Sequence, residues 1–126
     1  MKLKILPALS MGVAALLLLS SCSHRNELEV TATAYNSVPS QTSAQPNIGA
    51  WGHTLKPGMK VIAVSRDLLD LGLTKETPVK IEGLEGEYLV LDKMNKRWRR
   101  KIDIYMGNDI QAAREWGKQT VTIYWN

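Results

Sequence analysis

Between Leu28 and Trp125 the chain is written in short runs of β-branched and alternating residues, cut again and again by glycine, proline or asparagine. That rhythm constrains the fold more than any other feature, because period-two alternation places successive side chains on opposite faces of a strand. Leu28-Glu-Val-Thr-Ala-Thr-Ala-Tyr35 opens the series, and a loop rich in Ser, Gln, Pro and Asn follows over 36–46. A loop of that size in a small domain is usually functional or mobile. The next expected strand, Lys60-Val-Ile-Ala-Val64, comes after a Pro57-Gly58 turn, and Arg66 to Gly72 reads as one helical turn stopped by glycine. Pro78–Glu82 and Glu87–Leu91 flank Gly83-Leu-Glu-Gly86, a tight hairpin connection. Asn108 is the expected N-cap of a helix over Asp109–Trp116, with Ile110, Ala113 and Trp116 as its buried face and Gly117 as its stop. Gln119 to Trp125 alternates again, with Trp125 expected to pack near the terminus. About six strands, one or two short helices and no βαβ repetition predict an all-β fold, a closed or nearly closed barrel. No internal repeat is evident.

The first residues are expected to lie outside that domain. Lys2 and Lys4 precede an almost entirely apolar Ile5–Leu19, and Leu19-Ser-Ser-Cys22 closes it. This is the layout of a secretory signal over 1–21, short for a spanning helix with stop-transfer flanks. Cys22 is the only cysteine, so no internal disulfide is available. Its setting resembles a bacterial lipobox, which implies lipidation at Cys22, a tether over 22–28 and a domain over 29–126. By the same resemblance Ser23, with no acidic cluster after it, implies a cell-envelope protein anchored in the outer membrane and facing the periplasm. Without the two signal lysines the formal charge falls from +4 to +2, which argues against nucleic acid as the partner.

The chemistry concentrates between Tyr88 and Tyr105. Asp92 ends one apolar run, and Asp103 stands between Ile102 and Ile104. Aspartate is depleted in strands, and a carboxylate against apolar surface is costly unless paired or protonated. Read alone, the segment is a hairpin-like unit with an acid on each arm, an acid/base pair for a neutral polymer. The plainer alternative makes Asp92 a turn-former and turns Asp103 to solvent. The connection 93–101 carries six basic residues and Trp98. Arg97 and its neighbours suit carboxylates, and Trp98 suits stacking on a sugar; a solvated or lipid-facing basic loop fits the same residues. His24 and His53 are far apart with no cysteine beside them, so no metal and no cofactor are expected.

Taken in order, Val30-Thr-Ala-Thr-Ala-Tyr35, Val61-Ile-Ala-Val64, Leu71-Gly72, Asp92, Ile102-Asp-Ile-Tyr105, Ala113 with Trp116-Gly117, and Val121-Thr-Ile-Tyr124 resemble the three-aspartate (3D) domain. That family includes the barrel of membrane-bound lytic transglycosylase A and short muralytic proteins similar to stationary-phase survival proteins. The resemblance spans roughly Val30 to Trp125. It implies a six-stranded double-psi β-barrel that cleaves the bond between N-acetylmuramic acid and N-acetylglucosamine without water, leaving a 1,6-anhydro end. Asp103 matches the family's general acid/base and Asp92 its supporting aspartate, at the family's eleven-residue spacing. Tyr35, Gln41 and Thr42 lie where the family places groove residues, and Trp51 lies just beyond them.

Two departures stand out. Ser65 occupies the place of the family's first aspartate, with Asp67 two residues on, and Lys93-Met94-Asn95 replaces a Thr-Gly-Gly run. Ser65 is expected to supply a hydrogen bond there instead of a third carboxylate. A rival expectation is a barrel that has lost catalysis and kept glycan binding; another is an envelope scaffold whose basic loop docks a protein. The expected partners are peptidoglycan strands and the membrane, with the chain a monomer.

Overall fold

The computed structural model describes residues 24–37 and 48–126. Six strands appear where the alternation placed them: β1 (Asn26–Tyr35), β2 (Val61–Val64), β3 (Pro78–Ile81), β4 (Tyr88–Lys93), β5 (Lys101–Tyr105) and β6 (Gln119–Trp125). A 3-10 helix (Arg66–Leu71) follows β2, and an α-helix, α1 (Ile110–Trp116), follows β5. The expected signal, Cys22 with its lipidation, and Gln41 and Thr42 lie outside the described residues.

The strands close into a mixed barrel in the order β1-β5-β2-β4-β3-β6. Two pairs are parallel, β1 with β5 and β2 with β4, and the rest are antiparallel. Exchange β1 with β4, β2 with β5 and β3 with β6, and this ring of pairings is unchanged. The first three strands and the last three therefore play equivalent parts, although the sequence carries no visible repeat. Short β3 serves two neighbours, β4 through Pro78 and Val79 and β6 through Lys80 and Ile81.

The ring corrects the hairpin expectation. β4 and β5 are not neighbours, because β2 lies between them, parallel to β4 and antiparallel to β5. The reason is in β2 itself. Val61-Ile-Ala-Val64 is buried along its whole length, facing the core on one side and the Leu55-Leu91-Tyr105 cluster on the other, which suits a strand held between β4 and β5.

Inside the barrel sit Val30, Ala32, Ile62, Val64, Val90, Ile102, Ile104, Val121 and Ile123, with Leu68 and Leu73 from the segment after β2. The chain has no phenylalanine, and this interior is aliphatic and largely β-branched, which suits a pleated wall. Each such side chain contributes roughly 1.5–3 kcal/mol by leaving water. Trp125 closes the core, its indole N–H donating to Leu71 O at 3.2 Å. A smaller cluster of Leu55, Val61, Leu91 and Tyr105 packs on the outside.

Helix α1 differs from expectation in two details. Its cap is Asp109, which accepts from the Ala112 N–H at 3.0 Å, because the chain through Met106 and Gly107 is tied back to β1 and starts the helix one residue late. None of its residues is fully buried, and Ile110 is exposed; the helix lies on the outer surface of a barrel already filled by its strands. Trp116 still anchors it, donating its indole N–H to Ala32 O at 3.1 Å.

Candidate active site

Alternation sends Ile102 and Ile104 into the core and leaves Lys101, Asp103 and Tyr105 on the outer face of β5. On β1, Val30 and Ala32 point inward, so Thr31, Thr33 and Tyr35 share that outer face. Pairing then aligns a row across four strands. Thr33 is opposite Asp103, Asp103 opposite Ala63, and Ala63 opposite Asp92.

The last alignment depends on an irregularity. Ile62 pairs with Val90, but Ala63 pairs with Asp92, so Leu91 is an extra residue in β4. Without that bulge Asp92 would share the inward face of Val90; with it, the carboxylate is re-aimed. Two strand spacings then separate the Asp92 and Asp103 backbones, about 10 Å. The methyl group of Ala63 is the only side chain in the row between them.

The two acids are held differently. Asp92 Oδ1 accepts from the Ala50 N–H at 2.8 Å and from its neighbour Lys93 N–H at 2.9 Å. Tyr35 donates its hydroxyl to Oδ2 over a long 3.4 Å. Asp103 Oδ1 accepts from the Thr33 hydroxyl at 2.9 Å, and among the described residues Oδ2 accepts from none. Burial pushes both carboxyls above the usual carboxylate range. Three hydrogen bonds oppose that rise at Asp92; at Asp103 only Thr33 and the charge of Lys101 do, while the charge of Asp92 adds to it. Asp92 is thus the better-supported carboxylate and Asp103 the better place for a proton. Burial, then the charges of Asp92 and Asp103, push the Tyr35 phenol far above its ordinary range, so it stays a donor.

A loop builds the third wall. Ile48 and Thr54 form an isolated bridge, with Gly49 N–H donating to His53 O at 2.8 Å. Gly49 lies against the backbone of Leu91, where a Cβ would collide with the Leu91 carbonyl oxygen. That close approach aims the Ala50 N–H at Asp92. Trp51 packs against the barrel, and the Lys93 ammonium lies 5.7 Å from its ring centre.

Of the sequence-expected residues, Asp92, Asp103 and Tyr35 come together, and Trp51 stands beside them through the Ala50 turn. Trp98 and Arg97 lie in the loop before β5, with the Arg97 guanidinium 4.8 Å from the Trp98 ring centre. Ser65 is elsewhere. It is fully buried, its Oγ accepts from the Lys101 N–H at 2.9 Å, and its own N–H donates to Lys101 O. Asp67 likewise turns away, accepting from the Arg100 N–H at 3.0 Å.

Sequence reasoning missed Thr33, Ala63 and the Ala50 amide. Thr33 was findable, two residues before Tyr35 on an alternating strand. Ala63 and Ala50 were not, since they depend on which strands pair and on the bulge.

Neither of two surface clefts holds the acid pair. One, of about 380 Å³, is lined by Pro57–Lys60, Tyr88, Tyr105, Met106, Asn108, Asp109 and Ala112, and one of about 220 Å³ by Glu29–Thr31, Arg99, Arg100 and Thr120. Both acids are half-buried on the outer face of the sheet. Compared with models of known families and with curated proteins, the chain matches none.

Proposed function

We propose that this chain is a lipid-anchored cell-envelope protein whose barrel, of the three-aspartate, double-psi kind, cleaves peptidoglycan glycan strands as a lytic transglycosylase. One observation carries the proposal: Asp103 and Asp92 flank Ala63 in a single row and are hydrogen-bonded unequally. Pairs of acids whose surroundings differ divide into acid and carboxylate roles. Asp103, protonated, donates to the glycosidic oxygen as the bond to the muramoyl C1 breaks. The oxocarbenium-like charge develops beside the Asp92 carboxylate. Asp103, now ionised, takes the proton of the muramoyl 6-hydroxyl as that oxygen bonds to C1, which returns Asp103 to its starting state and consumes no water. The twofold pattern of pairings, with its two parallel pairs, supports the double-psi assignment.

A second reading has its own observation. With Ser65 buried and Asp67 turned to a backbone amide, the row holds two acids where the family has three. That favours a barrel that binds glycan without cutting it. Incubation of the full chain with purified sacculi separates the two. Soluble anhydro-muropeptides released by the wild type and not by Asp103→Asn support the enzyme; sedimentation of both proteins with the sacculi and no soluble product supports the binding module.

A further inference from the structure

The loop between β4 and β5 is held by its backbone and bare in its charges. Met94 N–H donates to Val64 O at 2.9 Å, and Arg66 Nε donates to Met94 O at 3.0 Å. Asn95 accepts from the amides of Arg97 and Trp98, and Arg100 N–H is fixed to Asp67. Among the described residues the one ion pair joins His53 to Glu76, so none of the loop's six cations has a carboxylate within 4.0 Å. Like charges gathered on a fixed backbone repel one another and oppose folding. Such an arrangement makes physical sense when an outside anion completes it.

The geometry gives the anion a position. Trp98 is partly exposed, with the Lys101 ammonium 3.6 Å from its ring centre on one contact and Arg97 at 4.8 Å on another. Lys101 and Asp103 share the outer face of β5, one strand repeat apart, about 6.6 Å. Lys101, with Trp98 and Arg97 gathered against it from the loop, therefore sits one step along the strand from the acid.

We infer that Arg97, Trp98 and Lys101 form an anion-accepting subsite next to Asp103, which takes a carboxylate carried by the peptide of a peptidoglycan strand. This rests on the peptidoglycan assignment above. The Trp98 ring holds the two cations together, the Arg97 fork takes the carboxylate, and Lys101 holds the charge close to the row without pairing with Asp103. A neutral glycan would leave the cations unused.

The test is sedimentation of the full chain, in detergent, with native sacculi and with sacculi whose carboxylates have been converted to neutral amides. The double variant Arg97→Gln/Lys101→Gln is run alongside; it leaves the Lys101 N–H to Ser65 untouched. The wild type is expected to bind native sacculi roughly five- to tenfold more tightly than amidated ones, from two solvent-accessible charge-assisted contacts, and the double variant to lose that difference. Equal wild-type binding to both forms, or undiminished binding by the variant, overturns the subsite and leaves the peptidoglycan assignment standing. Binding to neither form overturns both. If phosphatidylglycerol in the micelles strips the wild type from sacculi but not the variant, the loop is a lipid-headgroup surface and the subsite falls.

Discussion

On the proposed reading, Asp103 concentrates the chemistry in one side chain. Its carboxyl is raised by burial and by the charge of Asp92, so the folded state holds its proton more tightly than the unfolded chain does. The sign follows from linkage: that preference stabilises below the unperturbed aspartate range and is lost as pH rises through the raised value. At neutral pH the ionised group therefore costs stability. Asp103→Asn is expected to melt at the same temperature as the wild type or higher at pH 7, with the difference shrinking on acidification, while turnover of sacculi disappears. Thermal scans at a series of pH values check this; a variant clearly less stable at pH 7 would make Asp103 a structural carboxylate.

Ser65 behaves in the opposite way. Ser65→Ala leaves the part-buried Lys101 N–H without its side-chain acceptor and is expected to cost about 1–3 kcal/mol by denaturant titration. Ser65→Asp, which would place a third acid directly after β2, is expected to destabilise further rather than to add activity, because it would bury a carboxylate at a fully enclosed position. New activity in that variant would show that the site can still recruit a third acid. In the sequence, the Ile-Asp-Ile alternation is enough to put Asp103 on the face opposite its isoleucines, and that is where it stands. Nothing in the sequence around Ser65 revealed that its hydroxyl is consumed by β5.

Among the elements, β2 decides the site. Its central place separates the two acid-bearing strands, and its third residue, Ala63, sets what lies between the acids. Ala63→Val suits a strand by propensity yet puts two methyl groups into that gap. Turnover is expected to fall at least about tenfold as the reacting geometry is displaced, with strand content by circular dichroism unchanged; undiminished turnover would mean that substrate does not reach between Asp92 and Asp103. Gly49→Ala tests the turn that supports Asp92. Its Cβ would collide with the Leu91 carbonyl, so the turn must shift, costing about 1–3 kcal/mol and withdrawing the Ala50 amide. Activity should fall more than stability alone explains, as measured below the melting transition.

The elements themselves were legible because alternation and glycine are local signals. All six strands and both helical turns form close to where those signals put them, β1 starting two residues early at Asn26 and α1 one residue late at Ile110. The β4–β5 hairpin was misread for a physical reason: a run rich in polar turn residues between two strands looks the same whether the strands pair or another strand lies between them. The bulge at Leu91 left no local mark either, since β4 reads as ordinary alternation until its partner is known.

For the molecule as a whole, closure of the barrel turns weak local information into a defined surface. The equivalence of β1–β3 and β4–β6 in the pairing ring places Thr33 and Asp103 on one side of the row and Asp92 and Ala63 on the other. One half of the barrel therefore brings the two acids, on its β4 and β5. The other half brings a hydroxyl, a methyl group and, through the loop before β2, the amide that steadies Asp92. This division of labour is invisible in the sequence because the halves share a pairing pattern and little else. The barrel class was readable from strand count and spacing; the order of strands, and with it the row, required the fold.

The most direct measurement is mass spectrometry of the soluble products after the full chain is incubated with purified sacculi, beside Asp103→Asn under the same conditions. Anhydro-muropeptides from the wild type and none from the variant are the expected result. The same products from both proteins, or reducing-end fragments in place of anhydro ends, would contradict the assignment of Asp103 as the acid that opens and closes the muramoyl ring.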